Sequence, residues 1–162
     1  MATHKHSPYS AIIHSPVGKL GFNIVDDKLV NLDFLIASKI KLLPPGTSLA
    51  KEIVKQLEHY FKNSGFKFDL PIQLEGTIFQ QRVWQALQTI ATGNALSYGM
   101  LAQQLKSSAR AIGNACRRNP VPIIVPCHRI VAANGIGGFN GARQGQPLNI
   151  KSWLLWHEAK KV

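Results

Sequence analysis

Three apolar runs open the chain, Tyr9–His14, Leu20–Val25 and Leu29–Leu35, divided by Ser15-Pro16-Val17-Gly18 and by Asp26-Asp27. Short apolar runs bounded by turn-forming residues predict three strands joined by turns. Beyond the breaker Pro44-Pro45-Gly46 the period lengthens. Leu49, Ile53, Leu57 and Tyr60 recur at helical spacing, which predicts a helix over about Leu49–Phe61, ended by Asn63-Ser64-Gly65. No side chains that carry chemistry cluster in this stretch, which reads as scaffold.

From Gly76 the texture changes. Thr77 and Gln80 have capping-box spacing and open a helix with Phe79, Val83, Leu87 and Ile90 on its apolar face, closed by Gly93. Ser97 caps a short helix over Tyr98–Leu105, and Ser108 caps another running to about Arg118. Two short helices joined by a tight turn, the second bearing Arg110, Arg117 and Arg118, have the outline of a helix-turn-helix. Gly113, with Ala109, Ala111 and Ala115, gives that second helix a surface of small side chains. Close approach to a DNA backbone and packing against another helix both explain such a surface, and the sequence does not choose between them.

The segment Pro120-Val121-Pro122-Ile123-Ile124-Val125-Pro126-Cys127-His128-Arg129-Ile130-Val131 carries three prolines, which exclude a central strand or a long helix. A stiff, extended, apolar stretch is the expectation, bringing a cysteine and a histidine to a buried position. Asn134–Gly141 then forms a glycine-rich loop able to approach a ligand closely. A last helix from about Asn149 carries Ile150, Trp153, Leu154, His157 and Glu158.

Charge adds the first functional constraint. Of 162 residues, 19 are Lys or Arg and 8 are Asp or Glu, a formal net charge of +11 that favours a polyanionic partner such as nucleic acid. Apolar residues make up 45% of the chain, enough for a core. The sequence lacks a membrane-length apolar run, and Met1–Tyr9 lacks the apolar block of a secretion signal, so a cytoplasmic protein is expected. The two cysteines, Cys116 and Cys127, lack CxxC spacing, and His4, His6 and His14 have no ligand cluster around them. No metal is expected.

A nucleophilic cysteine must be at least partly thiolate, and a free thiol near pKa ~8.5 is only a few per cent ionised at neutral pH. His128 beside Cys127, oriented by Glu158 from the last helix, could draw off the thiol proton, with a bridging water between adjacent side chains. A buried structural cysteine beside a satisfied histidine is the competing reading of these residues alone.

The segment Pro126-Cys127-His128-Arg129-Ile130-Val131 resembles the signature of the methylated-DNA–protein-cysteine methyltransferases, also called O6-alkylguanine-DNA alkyltransferases. Further blocks resemble the same family in order: Phe79–Leu87, Ser97-Tyr98-Gly99 with Leu101-Ala102, Ala109–Gly113, Asn119–Ile123 and Lys151–Glu158. The resemblance covers roughly the second half of the chain. It implies that Cys127 accepts an alkyl group from O6 of guanine, with O4 of thymine as a second candidate lesion, once per molecule. It implies His128 as base through water, Glu158 orienting it, and Asn119 bracing the turn before the active site. Arg110 becomes a finger entering the duplex from the minor groove as the damaged base flips out. Tyr98 hydrogen-bonds that base, and Ala109, Gly113 and Arg117 share the DNA surface. Ile130, Gly138, Phe139 and Asn140 would meet the guanine.

The implied fold is α+β: a small ribonuclease-H-like sheet-and-helix domain over residues 1–72, then a mainly helical domain with a helix-turn-helix over residues 76–162. The expected partner is double-stranded DNA bearing alkylated guanine, met by a monomer with no cofactor and no membrane. Departures from the family pattern are a shorter Tyr98–Arg110 stretch, Phe139 where tyrosine is common, and a longer 141–149 loop. The principal alternative is a non-catalytic lesion-binding helix-turn-helix module, which Cys127 in its full motif opposes. A dimeric transcription factor needs base-reading side chains on a helix that is mostly alanine, glycine and isoleucine, and a Cys-His hydrolase leaves the basic half without a purpose.

Overall fold

A computed structural model describes residues 8–36, 39–141 and 145–159. The chain divides into two compact units, Met1–Leu74 and Glu75–Val162.

The first unit is built on an antiparallel meander of β1 (Ala11–Ile13), β2 (Lys19–Val25) and β3 (Lys28–Leu35), in that order. Asp26 and Asp27 both have positive φ, 51° and 62°, the backbone a two-residue hairpin requires for its twist to match the strands. Helix α1 (Ser48–Lys62) starts where Thr47 accepts a hydrogen bond from Ala50 N, and buries Ala50, Ile53, Leu57 and Tyr60. Gln56 is buried with them and holds the returning chain, accepting from Asp69 N at 2.8 Å and donating to Asp69 O at 3.0 Å.

The second unit is mainly helical. Helix α2 (Ile78–Leu87) is opened by the reciprocal Thr77–Gln80 capping box. Its α-helical winding stops before the Gly93 expected to close it: Gln88, Thr89 and Ile90 continue as a tighter i→i+3 turn. A two-residue strand β4 (Leu96–Ser97) leads into α3 (Tyr98–Leu105). Lys106 in the left-handed conformation, Ser107 and the cap Ser108 turn the chain into α4 (Ala109–Arg117). The strand β5 (Ile130–Val131) runs parallel to β4 with Leu96 opposite Ile130, and α5 (Gln146–Ala159) closes the unit, starting slightly before the expected Asn149.

The segment expected to be stiff and extended is instead a run of turns. Val125 N donates to Val121 O at 2.9 Å, Cys127 N to Val125 O at 2.8 Å and Arg129 N to Pro126 O at 3.0 Å, and Cys127–Arg129 form a single 3-10 turn. Prolines fix φ but leave ψ free, so they permit successive turns as readily as extension. Ile123 takes φ 75°, a strained choice for a β-branched residue, held by complete burial. The segment ends as β5, a strand that the proline pattern did not predict. Part of the 141–149 loop, residues 142–144, lies outside the described residues.

Candidate active site

The β4–β5 pair sets the geometry. It ties the start of α3 to the chain immediately after the 3-10 turn, so Tyr98 and Cys127 face a common cleft of about 890 Å³. That size suits a ligand larger than a water cluster. Of the residues singled out from the sequence, Tyr98, Ala109, Arg110, Gly113, Arg117, Cys127, Gly138, Phe139 and Asn140 line it. Ile130, fully buried, does not, and its carbonyl accepts from Lys151 Nζ at 2.7 Å. His128, Glu158 and Asn119 stand behind the wall.

The small-residue surface of α4 is split. Ala115 and Ile112 are buried, and Ala115 O accepts from Trp84 Nε1 at 2.9 Å, which anchors α4 on α2. Ala109 and Gly113 face the cleft, where a Cβ added to Gly113 would meet only the Tyr98 ring, at 3.8 Å. Arg110 and Arg117 are exposed on the same helix.

Cys127 is 8% exposed, buried yet open to the cleft. Behind it His128 is fully enclosed, and its Nε2 lies 2.7 Å from Glu158 Oε2. Arg129 fixes the carboxylate from the other side: its Nε donates to Glu158 Oε1 at 2.9 Å and its Nη2 to Oε2 at 3.0 Å. The guanidinium itself is held by Ile90 O and Thr92 Oγ1. Such a bidentate clamp fixes carboxylate orientation and supports its charge. The other imidazole nitrogen, His128 Nδ1, is buried with no hydrogen-bond partner. Asn119 braces the preceding turn, donating to Val125 O at 2.8 Å and accepting from Val121 N at 3.0 Å.

Burial pushes the Cys127 thiol up, opposed by the Asn119 amide, by the Lys151 charge and by the turn's own backbone. Burial also pulls His128 down, opposed by Glu158. Desolvation thus opposes the thiolate and the imidazolium alike, and the polar groups around the pair act against it.

Three residues beside the site carry no role in the sequence reading. Arg129 enters there only as part of the signature, yet it clamps Glu158. Lys151 is buried against two carbonyls of the cleft wall, Ile130 O and Gly138 O. Cys116 lines the cleft from α4. A lysine at a core-facing position of a helix with Ile150 and Leu154 was the available signal for Lys151.

The family described as "6-O-methylguanine DNA methyltransferase, DNA binding domain" matches residues 78–160. The methylated-DNA–protein-cysteine methyltransferase of Mycobacterium leprae is 41% identical over 155 residues, covering 91% of this chain and 90% of that protein. This chain belongs to the methylated-DNA–protein-cysteine methyltransferase family. The Methanosarcina acetivorans protein of the same name is 37% identical over 153 residues, covering 91% of this chain and 96% of its own. Among solved structures, the O6-methylguanine methyltransferase of Mycobacterium tuberculosis superposes with a TM-score of 0.78 at 38% identity, covering 93% of this chain and 92% of that one. The complex of Mycobacterium tuberculosis OGT with DNA matches with a TM-score of 0.76 at 40% identity, over 91% of each chain. As a member of this family the protein is a DNA-repair methyltransferase with a DNA-binding domain. No helix among the described residues is long and apolar enough to cross a membrane.

Proposed function

We propose that this methyltransferase removes a methyl or larger alkyl group from O6 of guanine in double-stranded DNA, with O4 of thymine as a second lesion, and keeps it on Cys127. The observation that carries the proposal is a cysteine open to a base-sized cleft, backed by a buried His128–Glu158 pair whose outer imidazole nitrogen has no partner. The sulfur attacks the alkyl carbon, an S–C bond forms and the C–O6 bond breaks. The thiol proton passes to His128 Nδ1 through a water, and Glu158 stabilises the imidazolium. Guanine leaves as the keto base, its ring nitrogen taking a proton from water as the imidazolium returns its own to solvent, with Tyr98 hydrogen-bonding the base edge. One S–H and one C–O bond become one S–C and one N–H bond, so the reaction balances without a cofactor. A thioether offers no route back to the thiol, so each molecule reacts once.

Chemistry on a paired base requires extrusion, at a cost of a few kcal/mol that damage lowers. In this reading α3, the Lys106–Ser108 turn and α4 act as a helix-turn-helix on the minor groove. Arg110 fills the place of the flipped nucleotide while Ala109, Gly113 and Arg117 lie along the backbone. The +11 net charge supplies binding that does not depend on sequence. Gly138, Phe139 and Asn140 line the guanine site, and Ile130 supports it from beneath. The first unit serves as a ribonuclease-H-like scaffold, and the protein works as a cytoplasmic monomer.

Intact-mass spectrometry after incubation with an O6-methylguanine duplex tests the proposal. The expected product carries one added CH2 on Cys127, with no turnover beyond one equivalent and none for Cys127→Ser. Tight binding without transfer would instead establish the non-catalytic lesion-binding module. Arg110→Ala should react normally with free O6-methylguanine base and poorly with the duplex, and equal loss on both would remove the finger role.

A further inference from the structure

Lys151 is fully buried on α5, an unusual position for an ammonium group, whose desolvation demands compensation. Its Nζ donates to Ile130 O at 2.7 Å and to Gly138 O at 2.8 Å, and it stands 5.8 Å from the centre of the Tyr98 ring. These contacts are to carbonyls and a ring, while the Glu158 carboxylate of the same helix engages His128 and Arg129. The titratable groups around it are Tyr98 from α3, Cys116 from α4, and Cys127 and His128 from the 3-10 turn. A buried cation held by neutral partners, bonded to Gly138 in the wall of the cleft that Cys127 and Tyr98 also line, is poised for a charge that appears there during reaction.

We propose that Lys151 is the positioning counter-cation for the Cys127 sulfur: its charge stabilises the thiolate as it forms, while its two hydrogen bonds pin the β5 and Gly138 walls of the cleft. This deepens the alkyl-transfer reading and rests on it. Lys151 is pulled down to about 8, mainly by burial, and so remains mostly cationic at neutral pH. Its charge lowers the thiol and so favours the sulfur half of the proton transfer. It works against a charged His128, and Glu158 opposes that effect at the imidazole.

The test uses iodoacetamide as the probe, in the full-length protein without DNA, with alkylation mapped to Cys127 by peptide mass across pH. Sulfur displaces iodide only as thiolate, so the rate follows ionisation. Lys151→Gln should slow alkylation near neutral pH about tenfold and move the midpoint upward, while Lys151→Arg should restore most of the rate. A Lys151→Gln profile that overlays wild type, even with methyl transfer impaired, would reduce Lys151 to a brace and overturn the proposal. Should Lys151→Gln not fold, the reciprocal measurement decides. Charge coupling acts equally on both partners, so the Lys151 ammonium, followed by NMR, should titrate higher with a carboxylate in place of the sulfur, in Cys127→Asp, than in Cys127→Ser. Identical titration would overturn the proposal. Neither readout involves a methylated base, so failure here is separate from failure of the alkyl-transfer reading, which the mass assay reports.

Discussion

Replacing Gly137 with alanine perturbs the cleft at a single carbon. Gly137 has φ 78°, where an L side chain is strained by roughly 1–2 kcal/mol. The new Cβ would stand 2.9 Å from Tyr98 Cε2, 3.2 Å from Tyr98 Oη and 3.2 Å from the backbone nitrogen of Ala132. The ring is enclosed by Lys151 and α4, and the Ala132 nitrogen is backbone, so neither retreats freely. Overpacking of this kind adds about 1–3 kcal/mol. The sum is about 2–5 kcal/mol, which for a chain of this size lowers Tm by roughly 10 °C. Urea and thermal unfolding measure it, with Gly135→Ala as the matched control, since a Cβ at Gly135 meets nothing within 4 Å. Gly137→Ala should also slow methyl transfer from duplex DNA, because relief of the clash displaces the Tyr98 ring. If Gly137→Ala and Gly135→Ala unfold together, the tight Gly137–Tyr98 packing and the argument from it are wrong.

Gly113→Ala separates stability from function: the helix gains up to about 1 kcal/mol, measurable as a raised Tm, while the methyl added on the cleft face slows reaction with duplex DNA but not with free base. A slowed reaction on both substrates would mean the methyl blocks the base site rather than the DNA approach. Acid should destabilise the fold through His128. Its imidazole lies below the ordinary 6.5 because of burial, so the unfolded chain takes up a proton near 6.5 that the native state refuses. That contribution to stability is whole above about pH 6.5 and falls as pH drops below it; urea midpoints at about pH 7.5 and about pH 5.5 measure the slope, which His128→Gln should flatten. Arg129→Lys removes the bidentate clamp and leaves Glu158 less firmly held, so methyl transfer should slow with pH dependence altered and binding to undamaged DNA unchanged. An unchanged rate would show that His128 alone orients the carboxylate.

Local signals were legible wherever neighbouring residues in the chain carry them. Thr77, Ser97 and Ser108 each cap the helix the sequence assigned to them, because a cap is satisfied by a backbone N–H a few residues away. The Asp26-Asp27 turn and the α1 face were readable for the same reason. The end of α2 and the path of the Pro120–Val131 segment were not. Proline excludes conformations without selecting one, and the turns are fixed by Asn119 reaching Val121 and Val125 and by burial of Ile123.

The order of residues along the chain supplies the chemistry: a cysteine and histidine side by side, a carboxylate on the last helix, a net positive charge and helices of small side chains. How those groups act depends on folding. Two residue pairs of parallel strand bring Tyr98 to the cleft edge that Cys127 shares, and a strand this short has no periodicity to read. Arg129 and Lys151 acquire meaning because Glu158, Ile130 and Gly138 converge on them from distant parts of the chain. Burial, a property of the folded whole, then sets the protonation of the sulfur and the imidazole, which no single residue or motif encodes.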